Sequence, residues 1–183
     1  YERLTEAGSI MGSGGMIVMD EDTCMVDVAR YFVDFLRGES CGKCTSCREG
    51  LESMYQILTG ICEGKGKEGD VEVLEELGTA IMDGSMCALG GTAANPVLST
   101  IRYFRDEYQS HIRDRKCPAG VCRELIRYLV DREKCTGCLL CVKNCPTGSI
   151  TGERKEPVTL NEDKCIKCGV CFEVCKFKAV VIE

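Results

Sequence analysis

Between Thr23 and His111 apolar residues return every three or four positions, the period of a helix with one buried face. Four helices are predicted. The first, about 23–37, carries Val28, Phe32, Phe35 and Leu36, is capped by Asp22 or Thr23 and stops at Gly38. The second, about 48–61, carries Leu51, Met54, Leu58 and Ile61, and Gly60 with the glycine-rich run at 63–69 closes it. The third, about 70–82, carries Val71, Leu74, Leu77 and Ile81 and ends at Gly84. The fourth opens at Asn95-Pro96, a cap followed by proline at the first helical position, and carries Val97, Ile101, Phe104 and Tyr108. Short connections favour antiparallel neighbours, so residues 23–112 are expected to form an up-down-up-down four-helix bundle.

Beyond residue 112 the helical period is lost. Residues 113–127 read as a linker. Leu125, Ile126, Tyr128, Leu129 and Val130 lead into a first strand, and Ile150-Thr151 and Val158-Thr159-Leu160 flank the charged GERKEP turn as a hairpin. Val180-Val181-Ile182 is expected to be the last strand, paired with the first. The fold class is therefore α+β: a helical bundle, then a small sheet domain over 128–183. At the start, Gly12-Ser13-Gly14-Gly15 precede the apolar run Met16–Met19. A dinucleotide fingerprint runs strand, glycines, helix; here the glycines come before the strand-like run. We read residues 1–22 as a glycine turn and a strand left over from a larger preceding domain. A first residue of Tyr, rather than Met, also leads us to expect a longer chain upstream.

Composition narrows the function classes. The chain has 183 residues, 44% of them hydrophobic, and a net charge of −6. An acidic chain is a poor partner for nucleic acid, whose phosphates need a basic surface. No apolar run approaches the length of a transmembrane helix, and no apolar leader opens the sequence. Sixteen cysteines could suggest a disulfide scaffold, but their spacing suggests metal-bound thiolates, which belong in a reducing compartment; a cytoplasmic location is expected.

The last quarter holds two copies of one pattern. Cys135, Cys138, Cys141 and Cys145, followed by Pro146, and then Cys165, Cys168, Cys171 and Cys175, each read C-x2-C-x2-C-x3-C. This is the spacing of bacterial two-cluster ferredoxins, in which the fourth cysteine of each run ligates the other cluster. The expected sets are crossed: Cys135, Cys138, Cys141 and Cys175 for one [4Fe-4S] cluster; Cys165, Cys168, Cys171 and Cys145 for the second. A pair of zinc sites is the competing reading, but four thiolates suffice for zinc and the third cysteine of each run would have no role. The second motif ends in Cys175-Lys176 rather than Cys-Pro.

The remaining cysteines sort to the two ends of the expected bundle. Cys41, Cys44 and Cys47 lie in the link between helices one and two, and Cys87 in the link between helices three and four. Both links fall at one end, so these four are the expected ligands of a third [4Fe-4S] cluster, with a zinc site as the alternative. Gly42 permits the loop to turn tightly, and Lys43 and Thr45 inside the loop are candidates for tuning the cluster. At the other end, Cys24, Cys62, His111, Cys117 and Cys122 converge. We expect zinc on His111, Cys117, Cys122 and Cys24, with Cys62 as the substitute for Cys24. Such an ion would be structural, a hinge between the bundle and the sheet domain. Free thiols with an exposed histidine, or a further iron–sulfur centre, are the alternatives.

With these motifs in hand, the stretches GSGGMIVMDE, ESCGKCTSCREG, CALGGTAANPV and RYFRDEY resemble the C-terminal part of the flavoprotein subunit of NADH:quinone oxidoreductase (complex I). The appended ferredoxin domain and KCPAGVC resemble the beta subunit of NAD(P)-dependent, electron-bifurcating [FeFe] hydrogenases and the related NADP-reducing hydrogenase subunit. The resemblance covers essentially the whole chain. It implies an oxidoreductase complex whose FMN and NAD(P) sites precede the residues present here. It also implies partner subunits such as a hydrogenase catalytic subunit and a thioredoxin-like 2Fe-2S subunit, with soluble ferredoxin as an exchange partner.

The expected role is electron transfer through three [4Fe-4S] clusters, with no catalytic acid, base or nucleophile in these residues. A competing reading is a structural and docking module, whose clusters and zinc only hold the fold and bind a partner subunit.

Overall fold

The helical period becomes four long helices in the computed structural model, which describes residues 2–6 and 14–183. Tyr1 and residues 7–13, which include Gly12 and Ser13 of the glycine run, lie outside the described residues. The chain divides into two units, Tyr1–Leu125 and Ile126–Glu183. The segment 113–125, expected as linker, therefore belongs with the helical unit.

The first unit contains a short α1 (Glu2–Glu6), then α2 (Met25–Glu39), α3 (Thr45–Cys62), α4 (Asp70–Asp83), a five-residue α5 (Ala88–Thr92) and α6 (Asn95–Gln109). α2 packs on α3 and α6, α3 on α4, and α4 on α6. The core between them comprises Leu51, Met54, Leu58 and Ile61 of α3, Leu74 and Ile81 of α4, and Val97, Ile101 and Tyr108 of α6. α3 approaches α4 so closely at Gly50 that an added Cβ would lie 2.4 Å from Ile81 Cγ1. Only glycine fits there.

Two stripes differ from the expected ones. α2 buries Val26, Ala29 and Val33, not the stripe through Phe32 and Phe35. The small residues let α2 lie close to its neighbours, and the aromatics are left outside: Phe35 is 56% exposed, and Tyr31 meets Phe32 edge-on, ring centres 5.6 Å apart. On α6, Phe104 leaves the helical conformation (φ −132°, ψ 34°) and is 41% exposed. The resulting kink drops it from the stripe and still returns Tyr108 to the core. The Tyr108 hydroxyl meets that of Thr100 at 2.8 Å, and both residues are buried.

α6 runs on into a π-helical turn, Ser110–Asp114, closed by Arg115 in the left-handed region (φ 53°). Such a turn accommodates one residue more than an α turn and commonly marks a site. At the other end of the unit, the apolar run Met16–Met19 forms no strand. Among the described residues no strand pairs with it, and Met16 and Val18 are 85% and 83% exposed.

The second unit has the predicted pairing. β1 (Tyr128–Val130) lies antiparallel to β4 (Val180–Ile182), with Leu129 opposite Val181. β2 (Ile150–Thr151) lies antiparallel to β3 (Thr159–Leu160). Between them come α7 (Leu140–Asn144) and α8 (Val170–Glu173), which pack on one another.

This unit is a structural repeat with a constant offset of 30 residues, Cys135 to Cys165. The left-handed backbone positions repeat with it: Gly137 and Lys167, Leu139 and Gly169, Gly148 and Lys178. So do loop hydrogen bonds. Asp131 N–H donates to the Ala179 carbonyl at 2.7 Å, and Asn161 N–H to that of Ser149 at 2.8 Å. Non-glycine residues hold a left-handed conformation at a cost; Leu139, Lys167 and Lys178 accept it because the turn around each cysteine run demands it. No helix among the described residues is long and apolar enough to cross a membrane.

Candidate metal centres

Cys24 is the N-cap of α2, Cys44 of α3 and Cys87 of α5. The unpaired amides of a helix's first turn favour negative charge, so these positions suit thiolates. α3 then presents Cys47 one turn in. Cys41, Cys44, Cys47 and Cys87 line one cavity of about 80 Å³, with Ser40 and Leu89 beside them. Cys47 is buried and Cys41 and Cys87 are exposed, so the cavity opens at the surface. Lys43 and Thr45 are exposed as well. The hydroxyl that reaches a sulfur here is that of Ser40, 3.3 Å from Cys47 Sγ. The same hydroxyl oxygen accepts the Gly42 N–H at 3.3 Å, which leaves its own hydrogen for the sulfur.

In the second unit, Cys145 lines a cavity together with Cys165, Cys168 and Cys171, the crossed set. The repeat maps these four onto Cys175, Cys135, Cys138 and Cys141. Burial pushes the Cys171 thiol up to about 11 and raises that of Cys141, so buried thiolates here call for nearby positive charge. Burial also acts against the Cys145 thiolate, but the Ser149 hydroxyl and nearby amides bring it down to about 6. Cys175 is likewise lowered against burial, by backbone amides led by Ala179.

A four-iron cubane sets its four sulfurs at the corners of a wider tetrahedron than a single ion does. Neither Cys41, Cys44, Cys47 and Cys87 nor Cys145, Cys165, Cys168 and Cys171 form a group at single-ion spacing among the described residues. Among the described residues one group alone has its ligand atoms all within 4.8 Å of one another: Cys24, His111, Cys117 and Cys122, every one buried. Bonds of about 2.3 Å to sulfur and about 2.0 Å to nitrogen at the tetrahedral angle place sulfurs about 3.8 Å apart and sulfur and nitrogen about 3.5 Å apart. The Cys24 and Cys122 sulfurs are 3.8 Å apart, and His111 Nε2 lies 3.3 Å from Cys24 Sγ and 3.4 Å from Cys122 Sγ. That spacing is far longer than a disulfide bond of about 2.05 Å. The residues fit a tetrahedral ion.

The π turn carries His111, and its Nδ1–H donates to the Glu107 carbonyl at 2.8 Å, leaving Nε2 for the cluster. A hydrogen bond of this kind fixes the tautomer of a ligating histidine. Burial works against the imidazolium, but the sulfurs of Cys117 and Cys24 hold the imidazole up at about 10. Hydrogen bonds from Cys122 and Cys24 push the Cys117 thiol far below its ordinary range, while Cys24 is raised, first by Cys117. Three sulfurs and a nitrogen thus share protons in a buried space, the condition a divalent ion relieves by displacing them. Cys62 lies outside the group. It is buried beside Cys122, where it raises that thiol. All four donors belong to the first unit, in the segment after α6 and at the start of α2, and not to both units as the expected hinge would require.

The comparisons follow the same division. Residues 27–111 match the NADH-ubiquinone oxidoreductase-F iron-sulfur binding region, and residues 127–176 match the 4Fe-4S dicluster domain. The chain carries both iron–sulfur domains. It is 50% identical over 181 residues to the NADP-reducing hydrogenase subunit HndC of Solidesulfovibrio fructosivorans, covering 99% of this chain and 37% of that protein. It is 45% identical over 118 residues to an NADH-quinone oxidoreductase F-type protein of Rhizobium meliloti (strain 1021), covering 64% of this chain and 28% of the relative. The NADH-quinone oxidoreductase relative from Streptomyces coelicolor is 43% identical over the same length. The chain thus spans about a third of the length of the curated relatives it matches.

Sequence reasoning missed Ser40, Ser149 and Glu107. The first two carry a weak signal, a hydroxyl one or four residues from a cluster cysteine. Glu107 carries none, since its role depends on a neighbour 82 residues away.

Proposed function

We propose that this chain is an electron-transfer segment of an NAD(P)H-linked oxidoreductase complex. It passes electrons between a flavin (FMN) site elsewhere in the complex and other redox centres or ferredoxin. The carriers are three [4Fe-4S] clusters. Cys41, Cys44, Cys47 and Cys87 hold the first, within an antiparallel four-helix bundle. Cys135, Cys138, Cys141 and Cys175 hold the second; Cys145, Cys165, Cys168 and Cys171 hold the third. Zinc on Cys24, His111, Cys117 and Cys122 is structural.

The observation that carries the reading is the difference in scale between the donor sets. Cys41, Cys44, Cys47 and Cys87 share one cavity and Cys145, Cys165, Cys168 and Cys171 another, neither set with single-ion spacing, while Cys24, His111, Cys117 and Cys122 have it. The protein's part is to hold the thiolates at helix starts and left-handed turns, to place hydroxyls and amides against sulfur, and to limit solvent. The hydrogenase relative matches 99% of the chain and the quinone oxidoreductase relative 64%, which favours an electron-bifurcating hydrogenase over complex I as the parent complex. A cytoplasmic site and the partner subunits of such a hydrogenase belong to this proposal.

The test is iron and zinc per chain on anaerobically purified protein, with EPR after dithionite and, in the parent complex that supplies the flavin site, after NADH. The expected result is about twelve irons and about one zinc, with clusters reduced on a turnover timescale. About eight irons would remove the bundle cluster. Full iron that neither NADH nor ferredoxin reduces would leave a structural and docking role.

A further inference from the structure

The two halves of the second unit have the same backbone, so their differences in side chain stand out. At a 30-residue offset Cys145 corresponds to Cys175, Thr147 to Phe177 and Ser149 to Ala179. Ser149 and Ala179 are equally buried, each 2% exposed. Each precedes a strand, and each has its carbonyl held by the equivalent loop amide. Ala179 offers Cys175 Sγ its backbone N–H at 3.2 Å. Ser149 places its side-chain hydroxyl 3.2 Å from Cys145 Sγ. Thr147 adds a longer, exposed contact at 3.7 Å.

We infer that Ser149 is a potential-setting residue, which makes the cluster closed by Cys145 easier to reduce through a hydroxyl bond that its counterpart, closed by Cys175, lacks. The inference rests on the crossed cluster ligation proposed above. A sulfur bound to iron carries no proton, so the Ser149 hydroxyl can only donate. Reduction adds negative charge to the cluster and its sulfurs, and a donor stabilises the more negative state. The bond therefore raises the midpoint potential of its own cluster. Ser149 itself is buried, which limits the water that competes for its hydroxyl and strengthens the bond. Ser149 acts through Cys145, so its role is positioning and tuning.

The experiment uses the full chain, cluster-loaded and purified anaerobically, with EPR-monitored redox titration and iron content for each variant. In Ser149→Ala, one of the two midpoints in the second unit should fall and the other stay. The sharing of an electron between those clusters should move severalfold, up to about tenfold, toward the Cys175 cluster. Ser149→Thr should restore most of the difference. The reverse change, Ala179→Ser, should raise the other midpoint. Unchanged midpoints in both Ser149→Ala and Ala179→Ser, at full iron, would overturn the inference. If Ser149→Ala loses iron, Ala179→Ser decides alone. Absence of two interacting clusters in the parent protein would instead sink the ligation reading, and iron and spin counts separate that outcome.

Discussion

The carboxylate of Glu107, near the end of α6, accepts the backbone N–H of Met25, the first residue of α2, at 3.0 Å. The same residue's carbonyl accepts from His111 Nδ1 at 2.8 Å. Glu107 thus steadies two donors of the four-ligand site, Cys24 through the helix start and His111 through its ring. Glu107→Ala should remove the helix-start acceptor at a cost of about 1 kcal/mol. The His111 bond is made to the backbone carbonyl and survives the substitution, so zinc affinity, read by competition with a chromophoric chelator, should fall by no more than about tenfold, through Cys24 alone. Glu107→Gln keeps an acceptor oxygen and should stay near the parent in both.

The buried thiols beside that site should separate cleanly. Cys24→Ala removes one of four donors, and zinc content should fall well below about one per chain. Cys62→Ala, outside the donor group though buried beside Cys122, should keep the metal. Zinc retained in Cys24→Ala but lost in Cys62→Ala would exchange their roles.

Gly50→Ala puts a methyl 2.4 Å from Ile81 Cγ1, a contact neither helix can yield to without moving. Overpacking of this kind costs about 1–3 kcal/mol, seen as a lower thermal midpoint of the helical unit. Removing the opposing Cγ1, in Gly50→Ala with Ile81→Ala, should cost less than the two single changes summed. Simple addition of the two single effects would show that the sites do not touch.

Tyr108 and Thr100 give an ordered pair of outcomes. Thr100 Oγ1 has two backbone acceptors, the Pro96 and Val97 carbonyls at 2.8 and 2.9 Å, besides the Tyr108 hydroxyl. Tyr108→Phe leaves Thr100 satisfied and should cost about 0.5–1.5 kcal/mol. Thr100→Val leaves the Tyr108 hydroxyl buried without this partner and should cost more, about 1–3 kcal/mol. Denaturant midpoints rank the two, and the reverse order would mean that Tyr108 finds another partner.

The two iron–sulfur domains and the strand pairing were legible because each is local: a run of fixed spacing, or alternation bounded by turns. Helix packing was legible where one stripe dominated, as on α3 through Leu51, Met54, Leu58 and Ile61. It failed on α2, where two apolar stripes compete and the smaller residues, Val26, Ala29 and Val33, win by permitting closer approach. It failed at Phe104, because the run around it holds no glycine or interior proline to mark the kink. The π turn at His111 and the capping by Glu107 answer to contacts with α2, which periodicity does not carry. Ser149 needed the repeat to be superimposed on itself before its hydroxyl had anything to differ from.

Cys24 and Cys122 lie 98 positions apart, yet their sulfurs meet at 3.8 Å. Closing so long a loop costs chain entropy that two thiols cannot repay alone. All four donors could grip an ion only after α2 has docked on α6 and the segment after the π turn has folded back. Metal capture would then be a late event that marks the helical unit as finished. A nascent chain would hold no complete site until residue 122 had emerged and returned to residue 24.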